Sequence, residues 1–362
     1  MRPKRKPTIR MIAEQVGVSP TIVSVVLKDP QTNRASDSKR QEILQTAREL
    51  GYRPNMLARN LSGHKTNVVA IVTSSTGPVF NDPYLREVLC GLQESLFQNG
   101  LSMSFVPTRR ASSPAAIREQ LQGVFGYDGI VFLNSSRSTL EQMELEIKEL
   151  RATRMPFVIG DALLTHGTAN AVVLDRDGNA RSLRHLLELG HERILHLPGL
   201  RHSYDADLTL GAYRTVMEEY NLSMDEGLIL FSGLSREDAR SGIMQALSAG
   251  VSFTAVSCFS DTAALGVYEA LAQAHLRVPD DVSVVGRHDL FFAPFMDPPL
   301  TSLRTHPTEL GLQAGRIITT AIEEGSTTIR TQVAAELAVR ASTAAPSETG
   351  RQSQGNTHQD NA

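Results

Sequence analysis

The stretch Thr8-Ile9-Arg10-Met11-Ile12-Ala13-Glu14-Gln15-Val16-Gly17-Val18-Ser19-Pro20-Thr21-Ile22-Val23-Ser24-Val25-Val26-Leu27 decides how the chain is read. Thr8 is placed to N-cap a helix in which Ile9, Ile12, Ala13 and Val16 recur at helical spacing. Gly17 can adopt the left-handed conformation that closes such a helix. Ser19 caps a second helix, with Pro20 at the first position, where no backbone N–H is needed. Val23, Val26 and Leu27 then share one face, leaving Pro20, Thr21, Ile22 and Val25 outward. Two short helices joined by a glycine turn form a helix-turn-helix.

Outward from this motif, Asp29-Pro30-Gln31-Thr32-Asn33 reads as a loop. Ser36 or Asp37 opens a third helix, with Ile43, Leu44, Ala47 and Leu50 inward and Gly51 at its end. Residues 1–53 are thus expected as an all-α domain. A turn at 52–55 and a short helical segment near 56–61 follow, and residues 54–66 are expected as hinge and linker. At Val68-Val69-Ala70-Ile71-Val72 the pattern becomes that of a buried parallel strand. Further strands are expected at 103–106, 129–133, 156–159, 171–174, 193–197, 228–231, 254–258 and 282–285. Helices are expected between them at 84–99, 115–124, 140–151, 178–189, 208–220, 236–248 and 262–273. This alternation implies an α/β core, 67–344, of two doubly wound parallel-sheet lobes. The polar segment 345–362 is expected to be disordered.

Residues 1–66 hold 13 Lys/Arg and 5 Asp/Glu, a net of +8, whereas the whole chain carries −3. A basic head on an acidic body fits a nucleic-acid-binding module joined to a second function, although a plain basic tail gives the same charge. No apolar run reaches about 18 residues, so no membrane span is expected. The basic N-terminus leads into no apolar segment, and Cys90 and Cys258 are the only cysteines. A cytoplasmic chain without disulfides is expected. His185, His191, His196 and His202 match no compact metal-ligand spacing. Glu141, Glu144, Glu146 and Glu149 read as a solvated helix face. No phosphate loop or supported catalytic set appears, so neither enzyme activity nor a cofactor is implied.

Several motifs in order carry a family resemblance: Gly17-Val18-Ser19-Pro20, Glu49-Leu50-Gly51-Tyr52-Arg53-Pro54-Asn55, Ala58-Arg59-Asn60-Leu61, Leu189-Gly190-His191, Val278-Pro279-Asp280-Asp281-Val282, Asp297-Pro298-Pro299-Leu300-Thr301 and Val339-Arg340-Ala341-Ser342-Thr343. Together they resemble the LacI/GalR family of bacterial transcription regulators over nearly the whole chain. The resemblance implies a periplasmic-binding-protein-like core whose chain crosses three times between lobes. The first lobe is then expected at about 67–162 plus 303–330, and the second at 163–302 plus 331–344. It also implies a homodimer or tetramer, double-stranded operator DNA as partner, and a small sugar-like effector.

On this reading Thr8, Ser19, Pro20, Thr21, Ile22, Val25 and Asn33 form the DNA face, with the recognition helix in the major groove. Asn55, Ala58, Arg59 and Leu61 form a hinge helix that wedges Leu61 into the minor groove. The alternative for Ile22 and Val25 is packing on a neighbouring element. Arg5, Lys6, Arg10, Lys28, Arg34, Lys39 and Arg40 are candidate phosphate contacts. Ile22 and Val25 stand where the family usually has Thr and Arg, which favours contact with thymine methyl groups. Tyr84, Asp161, Ser203, Asp205, Thr209, Asp261 and His288 fall near strand ends and are candidate effector contacts. Here too the pattern departs: Thr209 replaces an effector-binding Arg, Ser260 an Asn, and Arg287-His288-Asp289 a Phe-Asp-Asp. An unusual ligand and a core that senses none both remain open, as does a sugar-binding transport component on the same fold.

Overall fold

The computed structural model describes residues 7–52, 65–73, 79–106, 119, 126–133, 138–162, 170–175, 177–325 and 328–347. Two compact units separate at Thr66/Asn67.

The first unit holds α1 (Ile9–Val16), α2 (Pro20–Lys28) and α3 (Asp37–Glu49). Thr8 Oγ1 accepts from Met11 N, Ser19 Oγ from Ile22 N, and Ser36 Oγ from Lys39 N, so each helix starts at a hydroxyl cap. Gly17 closes α1 at φ 73°, a backbone conformation that suits glycine. The α1 and α2 axes then differ by 108°. This bend brings Ile12, Ala13, Val16, Val23, Val26, Ile43 and Ala47 into one buried cluster.

The second unit contains two sheets. The first runs β10-β5-β4-β3-β1-β2, all parallel: β1 (Val68–Thr73), β2 (Ser102–Phe105), β3 (Gly129–Leu133), β4 (Phe157–Ala162), β5 (Asn170–Leu174) and β10 (Arg330–Val333). The second runs β11-β9-β8-β7-β6: β6 (Ile194–Leu197), β7 (Ala255–Cys258), β8 (Ser283–His288), β9 (Thr301–Arg304) and β11 (Glu336–Ala338). Only its β11–β9 pair is antiparallel.

These pairings move the three expected crossing points. β5 bonds to β4, so the first sheet includes Leu174 and the chain does not leave it at 163. Arg304 still pairs with His288 in the second sheet, so the return comes after it rather than at 303. Val333 pairs with Leu174, and Glu336 with Arg304, so the third crossing lies between 333 and 336 rather than at 331. The expected strand at 228–231 reduces to one bridge between Ile229 and His196. The expected helix at 115–124 falls almost wholly outside the described residues.

The helices between strands are α4 (Pro83–Gln98), α5 (Leu140–Ala152), α6 (Gly178–Glu188), α7 (Tyr204–Glu219), α8 (Arg236–Ser248), α9 (Asp261–Gln273) and α10 (Pro307–Glu324). α4 packs on α10 with backbones almost touching: a Cβ at Gly91 would strike the Thr308 carbonyl, and one at Gly311 that of Val88. α9 packs likewise on α8, where a Cβ at Gly266 would meet the Arg236 carbonyl. On α5, Glu146 and Glu149 are buried beside Met143, Ile147 and Leu150, so only Glu141 and Glu144 are solvated as expected. The C-terminal segment is stitched onto the second lobe. Ser342 Oγ donates to Val284 O at 2.6 Å and accepts from Thr301 N at 2.7 Å. The described chain continues to Ser347, past the expected end of order at 344, and 348–362 lie outside the described residues.

Candidate functional site

On α2, Val23 and Val26 are wholly buried, which turns Pro20, Thr21 and Ser24 to the surface. Ile22 and Val25 are half-buried. Ile22 packs against the three-helix cluster, so its outward placement is corrected: one flank braces the domain and the rest faces out. The caps explain why Thr8 and Ser19 sit at the exposed helix starts, and each hydroxyl keeps a proton to donate. Asn33 is exposed in the loop before α3.

Two of the expected phosphate contacts have other work. Lys39 Nζ donates to Val16 O at 2.8 Å, placing a cation at the C-terminus of α1, and pairs with Glu42 at 2.8 Å. Arg40 donates to Thr32 O at 2.7 Å and pairs with Asp37. Arg10 and Arg34 are exposed. Arg5, Lys6, the Lys28 side chain, Asn55, Ala58, Arg59 and Leu61 lie outside the described residues.

In the core, the two lobes touch across the cleft at the strand ends. The Tyr84 ring, in the first turn of α4, lies 4.2 Å from the His288 ring. His288 Nδ1 is 2.9 Å from Thr305 Oγ1. Phe291 N donates to Glu87 Oε1, and Tyr204 N donates to Ser138 O at 2.8 Å. Burial pushes the Glu87 carboxyl above its ordinary range.

The second lobe supplies the main polar feature. Arg287, at the end of β8 and 6% exposed, donates to both carboxylate oxygens of Asp205 at 3.0–3.2 Å. Asp205 lies in the first turn of α7, whose N-cap Ser203 accepts from Ala206 N. Thr209, one turn on, is buried and donates to Ala206 O at 3.1 Å. Arg287 went unrecognised in the sequence as a site residue, because its partner lies 82 positions away.

Asp261 is not a cleft residue, which corrects the expectation. It is 0% exposed, with Oδ1 accepting from Ser302 Oγ at 2.5 Å and Oδ2 from Leu290 N at 2.6 Å. Gly286 gives it room, since a Cβ there would strike Asp261 Oδ1. Burial raises its carboxyl to about 7. Asp289 is similarly inward, bound to Arg304 at 2.7 Å and Arg340 at 2.6 Å. The Asp161 backbone belongs to β4, but its side chain lies outside the described residues.

The four histidines are dispersed. His185 bonds Thr343, His191 bonds Thr254 and the Ala344 carbonyl, His196 is buried against Tyr213, and His202 is exposed. Among the described residues no cluster of His, Cys, Asp or Glu is placed to hold a metal. No single described helix is long and apolar enough to cross a membrane.

Known proteins match this arrangement in both parts. Residues 8–55 match the model of bacterial regulatory proteins, lacI family, and 183–343 match a periplasmic binding protein-like domain. The HTH-type transcriptional repressor PurR of Haemophilus influenzae is 27% identical over 316 residues, covering 86% of this chain and 90% of that protein. The HTH-type transcriptional regulator CelR of Thermobifida fusca is 28% identical over 350 residues, covering 94% and 100%. The ribose operon repressor of Escherichia coli K12 is 29% identical over 310 residues, covering 84% and 89%. Among solved structures, the lac repressor dimer bound to operator and the anti-inducer ONPF superposes with a TM-score of 0.81 at 23% identity, covering 94% and 100%. A CelR–cellobiose complex gives 0.67 at 25% identity, covering 93% and 99%. With a lacI-family helix-turn-helix domain and a periplasmic-binding-protein-like core, the chain has the two-part build of the lacI-family bacterial transcription regulators to which it is similar.

Proposed function

We propose that the protein is a cytoplasmic repressor that binds a palindromic operator as a homodimer, with α2 in the major groove. The observation that carries this reading is the surface of α2. It presents Thr21 and Ser24 as hydrogen-bonding groups beside the half-exposed methyls of Ile22 and Val25, on a unit of net charge +8. Thymine offers a C5 methyl in the major groove, and hydroxyls bond base edges or phosphates. The segment 54–66 supplies the minor-groove hinge, with Leu61 as the wedge, by resemblance to the family. The helices 84–99 and 262–273 are candidate dimer elements, and each has one face covered by α10 or α8 of the same chain. Phe97 and Phe295, 78% and 85% exposed, are apolar surface that a second copy would cover.

The core binds a small carbohydrate-related effector whose affinity differs between two core conformations, and so shifts operator binding. The relatives named for ribose and the structure solved with cellobiose support this class. A non-sensing core is the second reading. It draws on the Arg287–Asp205 pair, which fills part of the cleft wall with a bond internal to the chain. Gel shift of selected operator DNA, with and without sugars, separates the two. Release or tightening by a sugar supports the effector reading, and indifference to every sugar tested supports the other.

A further inference from the structure

Beneath Arg287, inside the second lobe, lies a small chamber whose polar lining comes from Asn179 and Ser182 of α6, Thr209 of α7, His196 of β6, Ser257 of β7 and Arg287 of β8, and whose remaining lining is largely apolar. His196 and Ser257 are register partners, and Ser257 in turn pairs with Val285. Ile194, Ala255 and Val285 mark the apolar part of this sheet face, under α6 and α7. Two residues on along each strand, His196, Ser257 and Arg287 make it polar.

His196 is 4% exposed, and neither ring nitrogen has a hydrogen-bond partner among the described residues. The buried Ser182 Oγ also has none among them. Burial, reinforced by the charge of Arg287, pushes His196 down to about 3, so the ring is neutral at physiological pH. A neutral imidazole always presents one N–H donor and one lone pair. Interior groups of this kind are almost always satisfied in folded proteins, by protein or by an ordered guest. The chamber has room for about one water-sized oxygen. A neutral guest suits the chamber better than an anion, because Arg287 is already neutralised by Asp205, a carboxylate tethered on α7. An anion from solution would compete with a group held at high effective concentration.

We propose that this chamber is a hydroxyl subsite in the second-lobe wall of the effector cleft. An ordered water occupies it at rest, and one hydroxyl of a neutral, polyhydroxylated effector replaces that water, bonded by His196 and Ser182. The proposal rests on the core binding a small ligand. It adds that sugar phosphates and sugar acids are excluded and that His196 is a specificity-determining residue.

The test uses the full chain, titrated calorimetrically with neutral sugars, D-ribose and cellobiose among them, and with matching sugar phosphates and aldonic acids. The variants are Ser182→Ala, which removes one oxygen, His196→Leu, and His196→Gln, which restores a donor and an acceptor. The expected result is a neutral sugar that binds, about tenfold weaker to Ser182→Ala and His196→Leu, with affinity partly recovered in His196→Gln and no binding of the charged counterparts. A neutral sugar bound equally by wild type and the variants overturns the subsite and leaves the effector reading standing. Preferential binding of a sugar phosphate or acid overturns the neutral class. No binding of any probe by a chain that still binds operator removes the effector reading, and the subsite with it.

Discussion

Arg287 and Asp205 form a three-bond ion pair that fastens the end of β8 to the first turn of α7. Their side chains are 7% and 23% exposed, so water screens the pair weakly. Removing one partner leaves a buried charge without its counterion, which costs about 3 kcal/mol or more. Asp205→Ala and Arg287→Met should each lower the denaturant midpoint clearly. The double variant Asp205→Leu with Arg287→Met should recover much of the loss. Additive losses in the double-mutant cycle would show that the two side chains are not coupled.

Asp261 and His196 give stability two opposing pH slopes. Asp261 rises from 3.8 to about 7 on folding, chiefly by burial. Between these values the folded state keeps a proton that the unfolded state has lost, so this contribution declines as pH rises through the window. His196 falls from 6.5 to about 3. Between those values the unfolded state holds a proton that the folded state lacks, so its contribution declines as pH falls. Relative to wild type, Asp261→Asn should therefore be more favourable at pH 8 than at pH 4.5, and His196→Leu more favourable at pH 4.5 than at pH 8. Urea unfolding at the two pH values measures both, and pH-independent differences would contradict the assignment.

The α4–α10 contact has no room for a methyl group at Gly91 or Gly311. Gly→Ala normally favours a helix by up to about 1 kcal/mol. Here Gly91→Ala should instead destabilise by about 1–3 kcal/mol, because a Cβ meets backbone rather than a movable side chain. Gly250→Ala, at φ 75° with nothing within 4 Å, reports the cost of a left-handed backbone alone. Thermal melts of the two variants compare these mechanisms directly.

The half-exposed Val25 should act in base selection rather than in holding the domain together. Val25→Arg adds a forked donor suited to guanine and should change the preferred operator, with little effect on the melting of the N-terminal unit. Val26→Ala, at a wholly buried position, should do the reverse and cost about 1–3 kcal/mol. An unchanged operator preference in Val25→Arg would remove position 25 from the reading surface.

What the sequence made legible follows from the range of the interactions. Thr8, Gly17, Ser19 and Pro20 announce their helices because capping acts within three or four residues. The alternation of apolar strands and amphipathic helices announces the α/β core for the same reason. The lobe crossings were misplaced because β5 and β10 resemble any short parallel strand, and only pairing assigns them to a sheet. Asp205 and Thr209 were visible as residues beyond a strand end, but Arg287 acquires its role from a partner 82 residues away. Asp261 looked like a ligand contact, yet the missing side chain of Gly286 lets it turn inward. Lys39 looked like a phosphate contact, yet it serves a carbonyl 23 residues earlier.

In the proposed function, α2 reads operator DNA. Selection of bound duplexes from a random pool by the full chain, followed by titration of the winner at rising salt, tests it most directly. The expected result is a palindromic consensus and a log affinity that falls linearly and steeply with log salt as phosphate contacts release counterions. A pool that never enriches, or binding indifferent to salt, would contradict it.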